Sequence, residues 1–138
     1  MTVRFHVTPY NPMLWMDENN VPSEPPSDLH IKFSEFRERL TEFGEMIREV
    51  NWDIKTHSDA GWEVTADSNW GVSGSFGGHL NQILTMEAGL GLNEFVAWYR
   101  SFVPSEHALY LFQEGEWESL ELREGITVEE IANFTGIT

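Results

Sequence analysis

The sequence predicts an α+β fold, in which an antiparallel or mixed sheet of about six to seven strands carries three helices mainly on one face, followed by a short C-terminal helix. Short segments of alternating apolar and polar residues recur along the chain, a pattern typical of half-buried strands. Between them, apolar residues at spacings of three and four predict amphipathic helices. Hydrophobic residues make up 41% of the 138 positions, so we expect residues 1–138 to form a single domain with its own core.

The first third of the chain predicts two strands and a helix. Apolar residues alternate with polar ones over residues 3–7, which predicts the first strand. Residues 9–28 contain all but one of the six prolines and predict a long irregular connection. A second alternating strand is predicted over residues 29–33. Ser34 is a good N-cap for a helix of about four turns, whose apolar stripe extends to Val50.

A strand over residues 52–56 leads into a β-hairpin, the clearest element in the sequence. A three-residue turn at 67–69 would place Val64 opposite Val72. Even-numbered residues of both hairpin strands then share an apolar face, made by Trp62, Val64, Ala66, Trp70, Val72 and Phe76. The reverse face carries small or polar residues, namely Glu63, Thr65, Gly71, Ser73 and Ser75. We expect the helices to pack on the even-numbered face.

Two helices are predicted after the hairpin. The first would begin at Gly78, because the apolar residues that follow have helical spacing: Leu80, Ile83, Leu84 and Met86. Asn93 would cap the second helix, which should end before Pro104.

The C-terminal part predicts two strands and a short helix. An apolar run over residues 109–112 is typical of a central strand, and a turn at Glu114 and Gly115 would connect it to a strand over 117–122. Thr127 and Glu130 form a capping box for the last helix.

Net charge restricts the possible binding partners more than any other bulk property. The chain contains 23 Asp and Glu residues against 8 Lys and Arg, for a formal net charge of −15. Such a surface repels nucleic acid and anionic membranes and attracts basic proteins, although charge that only maintains solubility is an equal alternative. We therefore expect a non-catalytic interaction module with a basic protein partner. In composition, the chain is like acidic inhibitors and immunity-type proteins that block cationic toxins or nucleases.

The predicted partner surface combines the polar hairpin face with glutamates near the C-terminus. Its residues are Glu63, Thr65, Ser73, Ser75, Glu114, Glu116, Glu118, Glu121 and Glu124. Beyond Pro104 the imbalance is strongest, since Arg123 is the one Lys or Arg among these glutamates.

An enzyme or small-molecule-binding domain is the alternative hypothesis. It would use the glycine-rich bend at residues 73–79, with Ser75 and His79 as the ligand site. The bend lacks the glycine spacing of nucleotide-binding loops, and no serine in it completes a nucleophile-elbow motif. We therefore assign no catalytic residue and no cofactor.

The remaining features give further expectations. His6, His30 and Asp28 could form a metal site only if the first two predicted strands pair, and we expect none. No apolar run is long enough for a membrane span, and the absence of cysteine fits a cytoplasmic location. A homodimer, joined through residues 13–16 or a sheet edge, is a third hypothesis.

Overall fold

The computed structural model describes most of the chain, namely residues 3–11, 27–43, 49–54, 60–65, 71–77, 79–87, 89, 91–116 and 118–137. The strands in these ranges are β1 (Arg4–Thr8), β2 (Glu49–Ile54), β3 (Ala60–Thr65), β4 (Gly71–Gly77), β5 (Ile83–Glu87), β6 (Tyr110–Gln113) and β7 (Ser119–Glu121). The α-helices are α1 (Phe33–Phe43), α2 (Leu92–Phe102) and α3 (Val128–Thr135).

The strands form one antiparallel sheet in the order β2-β3-β4-β5-β1-β6-β7. The first strand of the chain lies inside the sheet, because β1 pairs with β5 on one side and with β6 on the other. The α+β class is confirmed, and the sheet is antiparallel, one of the two predicted forms.

The predicted hairpin register is confirmed where the structure describes it. Val64 lies opposite Val72 in the β3–β4 pair. Val72 and Phe76 are buried, as expected for the even-numbered face. The predicted turn at 67–69 and its flanking residues Ala66 and Trp70 lie outside the described residues.

Two helices cover the even-numbered face of β4 and its neighbours. Phe36 of α1 and Phe76 of β4 meet edge to face, with ring centroids 4.7 Å apart. The core continues through Tyr99 of α2, and α3 packs against α2 through the buried Ile131. The other buried strand residues in this core are Phe5, Val7, Val72, Leu84, Met86 and Leu111. All of them lie on one side of the sheet.

The strand predicted over residues 29–33 is wrong. Residues 27–32 have no regular structure, and Phe33 begins α1. The alternation reflects burial of Leu29 and Ile31 without a strand partner. The Ile31 N–H instead donates to the Leu80 carbonyl, and the buried Gln82 amide donates to the carbonyls of Ser27 and Leu29.

The helix predicted from Gly78 is also wrong. A 3₁₀ turn at His79–Asn81 leads directly into β5. Leu80 and Asn81 have φ values of 53° and 58°, a left-handed conformation that no α-helix contains. Leu84 and Met86 are buried in β5, which pairs with β4 and β1. Buried residues therefore alternate in this segment as in a strand and do not follow helical spacing.

Two further boundaries differ from the predictions. Val50 belongs to β2 and not to the first helix, so the long apolar stripe combined residues of two elements. Asn93 does not cap α2, which begins one residue earlier. Its buried amide instead donates to the Ile137 carbonyl and accepts from Thr135, which ties the C-terminus to α2. The capping role of Thr127 is confirmed, since its hydroxyl accepts from the Glu130 N–H at 3.1 Å.

Candidate functional site

The candidate site is the side of the sheet opposite α1 and α2, which we call the open face. Cross-strand pairing arranges its residues in three adjacent rows. The acidic row contains Glu63, Ser73, Glu87, Arg4 and Glu114. The hydroxyl row contains Ser75, Thr85, His6, Phe112 and Ser119. The third row contains Ile83, Thr8, Tyr110 and Glu121. Neighbouring residues of one row are about 5 Å apart.

The acidic row crosses five adjacent strands or strand ends. Glu63 lies opposite Ser73, and Glu87 lies opposite Arg4. The Glu114 N–H donates to the Arg4 carbonyl at 2.9 Å, which continues the row beyond the end of β6. Glu87, Arg4 and Glu114 are exposed. The row therefore presents carboxylates on both sides of one arginine.

His6 occupies the centre of the hydroxyl row, where both ring nitrogens have partners. Nδ1 lies 3.0 Å from the Thr85 hydroxyl, and Nε2 lies 3.4 Å from Oε1 of Glu114. A carboxylate can only accept, so the proton belongs on Nε2, and Thr85 donates to Nδ1. The imidazole is stacked on Phe112, with centroids 5.2 Å apart and planes inclined by 28°.

The surroundings of His6 favour its neutral form. Burial lowers the pKa of His6 below its ordinary value of 6.5, and the positive charge of Arg4 acts in the same direction. The charge of Glu114 and its hydrogen bond raise the pKa but do not outweigh burial. At pH 7 the imidazole therefore adds no positive charge to the open face.

The predicted partner surface is brought together only in part. By backbone register alone, its members at open-face positions are Glu63, Thr65, Ser73, Ser75, Glu114 and Glu121. Glu116 and Glu118 are exposed in the connection between β6 and β7, next to Glu114. Glu124 follows β7 and lies towards the opposite end of that strand pair. The two halves of the surface are separated by β5 and β1, about 14 Å across the strands from β4 to β6.

The alternative site at Ser75 and His79 stays a prediction. Ser75 is half-buried in the hydroxyl row, opposite Thr85. His79 lies past the end of β4, and its side chain is outside what the structure describes.

The strand pairing that would have joined His6 to His30 does not form. His6 lies on the open face, whereas the exposed His30 precedes α1. Asp28 lies 3.7 Å from Nδ1 of His107 instead. Within the described ranges, no group of three or more His, Asp or Glu side chains could hold a metal ion.

Several residues of the open face are absent from the predicted partner surface, among them Glu87, Thr85, His6 and Phe112. The apolar spacing predicts a helix that includes Glu87 and Thr85, whereas residues 83–87 alternate in burial as a strand does. In the sequence, His6 is indicated only as a possible metal ligand with His30 and Asp28. Its partners, at positions 85 and 114, come from strands distant in sequence, and no local signal indicates them.

A cavity of about 460 Å³ lies beside α1 and the end of α2. Its apolar walls include Ile31 and Phe102, and its charged residues are Lys32, Arg39, Glu35 and Glu38. Acidic and basic groups are balanced there, and Lys32 and Glu35 approach within 3.9 Å of each other. The cavity thus shows no preference for a ligand of either charge.

Neither family models, nor curated proteins, nor solved structures give a match to this chain. Among the helices that the structure describes, none is both long enough and apolar enough to cross a membrane. The functional argument therefore rests on the open face itself.

Proposed function

We propose that the protein is a non-catalytic interaction module whose open face binds a basic protein partner. The observation that supports this most is the acidic row, in which Glu87 and Glu114 are exposed on either side of Arg4. By class, the proposal places the chain among acidic inhibitors or immunity-like proteins that act in the cytoplasm, where a chain without cysteine is suited to the reducing conditions.

Protection of a sheet edge is the simplest competing explanation for charge on strands. It accounts for Glu121, because β7 is an edge strand and charged side chains discourage pairing with other chains. It does not account for the exposed Glu87, because β5 has a partner on both sides. The solvated face of an antiparallel sheet also carries polar residues, so the experiment below must separate a partner surface from charge that only maintains solubility.

A net charge of −15 adds long-range attraction to this local pattern. A field of that sign accelerates encounter with a cationic protein, and the gain decreases as salt screens it. The orientation of the bound partner then depends on where the carboxylates lie on the open face. The net charge should therefore affect mainly the association rate, and the carboxylates of the open face mainly the stability of the complex.

Capture from native cell lysate at low salt, followed by mass spectrometry, tests the proposal when two variants of equal charge are compared. The face variant replaces four glutamates of the open face with glutamine: Glu63, Glu87, Glu114 and Glu121. The control variant replaces four exposed carboxylates elsewhere with their amides: Asp28, Glu35, Glu106 and Glu129. Each variant removes four of the negative charges.

The proposal predicts one basic protein that is captured by the wild type and the control variant but not by the face variant. Equal capture by both variants would mean that bulk charge alone attracts the partner, and it would contradict a role for the open face. Sedimentation of the isolated protein at the same concentrations tests the homodimer hypothesis, since self-association would appear without any lysate.

A further inference from the structure

We infer that the open face contains a subsite for an arginine side chain of the partner, made by Phe112, Glu114 and His6. This inference rests on the proposed function, because it names the group that a basic partner would present. It goes further in choosing arginine over lysine. The choice follows from the flat ring of Phe112, which His6 holds by stacking, and from the carboxylate beside it.

Glu114 supplies the charge of the subsite. Its side chain is 55% exposed, and the His6 contact uses only Oε1. Oε2 has no partner among the described residues. A guanidinium could therefore donate to Glu114 without displacing the imidazole, and a carboxylate with a free oxygen is a strong acceptor for arginine.

Phe112 supplies a flat aromatic wall next to that carboxylate: one face of its ring is stacked on His6, and no other ring of the described residues is stacked on the opposite face. The ring centroids are 5.2 Å apart, and Phe112 is half-buried in the middle of β6. A planar guanidinium stacks on aromatic faces while its N–H groups bind a carboxylate in the same plane. An ammonium is a compact, strongly hydrated charge and gains less from the wall. The geometry thus discriminates between the two basic side chains.

Two basic residues of the chain itself, Arg4 and His6, modulate the subsite. Arg4 is exposed next to Glu114 and makes no ion pair with a described residue, so it repels an incoming guanidinium. His6 is neutral at pH 7 and gains a charge on acidification. The charged groups nearest to it are Arg4 on β1, Glu87 on β5 and Glu114 after β6. Binding of an arginine should therefore weaken as the pH falls through the His6 transition.

The test compares two probes, a peptide of nine arginines and a peptide of nine lysines, by fluorescence anisotropy at low salt. We expect the wild type to prefer the arginine peptide by about two- to fivefold, the ratio that a cation–π contact at an exposed ring supports. Phe112→Leu should remove the preference while lysine-peptide binding persists. Phe112→Tyr keeps the ring and should keep the preference, which separates loss of stacking from loss of folding.

The role of Glu114 has a matched control on the same hairpin. Glu114→Gln should weaken binding of the arginine peptide more than Glu116→Gln does, because Glu116 is exposed in the turn, four positions after Phe112. Arg4→Gln should strengthen binding. Equal affinities for both peptides, with equal losses in the two glutamine variants, would overturn the subsite and leave the proposed function intact. Absence of salt-dependent binding to either peptide would overturn both.

Discussion

Replacement of Arg100 should destabilise the folded protein strongly, because this buried side chain joins two segments of the chain. This residue is 5% exposed at the end of α2, and its guanidinium donates to the carbonyls of Val103, Pro104, His107 and Leu122 at 2.9–3.1 Å. Burial lowers the pKa of Arg100, and the charge of Glu124 opposes that shift. The side chain therefore joins the loop after α2 to the end of β7.

The expected cost follows from the carbonyls that would lose their donor. The bonds to Val103 and Leu122 are buried, and a buried acceptor without a donor costs about 1–3 kcal/mol. The other two carbonyls are partly buried and can turn to water. Arg100→Leu should therefore lower the free energy of unfolding by roughly 2–6 kcal/mol. Arg100→Lys should recover only part of this, because an ammonium cannot reproduce the planar fork.

Urea unfolding followed by far-UV circular dichroism measures this difference at pH 7. Each kcal/mol corresponds to about 3–5 °C in the thermal midpoint for a chain of this size. An Arg100→Lys variant within about 0.5 kcal/mol of the wild type would refute the reasoning, since that is the range of an ordinary surface substitution. The α2 variant Ser101→Ala, at an exposed neighbouring position, is the control.

Three further predictions concern the core, the open face and a helix end. Phe36→Ala should cost about 3–5 kcal/mol in urea unfolding, because Phe36 is fully buried against Phe76, and a loss below about 1 kcal/mol would contradict the assigned core. Burial lowers the pKa of His6 in the folded protein, so the unfolded chain binds this proton first and the free energy of unfolding falls as the pH drops below 6.5. His6→Asn should make that fall less steep. Parallel pH profiles of stability for the wild type and the variant would exclude a role for His6. Thr127→Ala should cost about 1 kcal/mol through loss of the α3 cap, whereas Val128→Ala, at an exposed helical position, should cost much less.

The β3–β4 hairpin could be predicted in register because its information is local. Val64 and Val72 lie on neighbouring strands that are close in sequence, and the alternation of apolar residues specifies which face is apolar. The polar reverse face followed from the same alternation. Prediction succeeded where the strand and its partner are adjacent in sequence.

Residues 29–33 and 83–87 were assigned wrongly because distant partners decide their structure. Both segments contain apolar residues at ambiguous spacing, and β5 becomes a strand only by pairing with β4 and β1. The contact between His6 and Thr85 depends on that same long-range pairing. The hydroxyl row could therefore not be found before the strand order was known.

The association rate of the captured basic partner, measured by stopped flow over a range of salt concentrations, tests the central claim most directly. The account predicts that the rate decreases steeply with salt for the wild type and for the control variant of equal charge. The face variant should bind more slowly at low salt and with a flatter salt dependence. A salt-independent rate, or identical salt dependence in the two variants, would contradict the claim that the open face receives the partner.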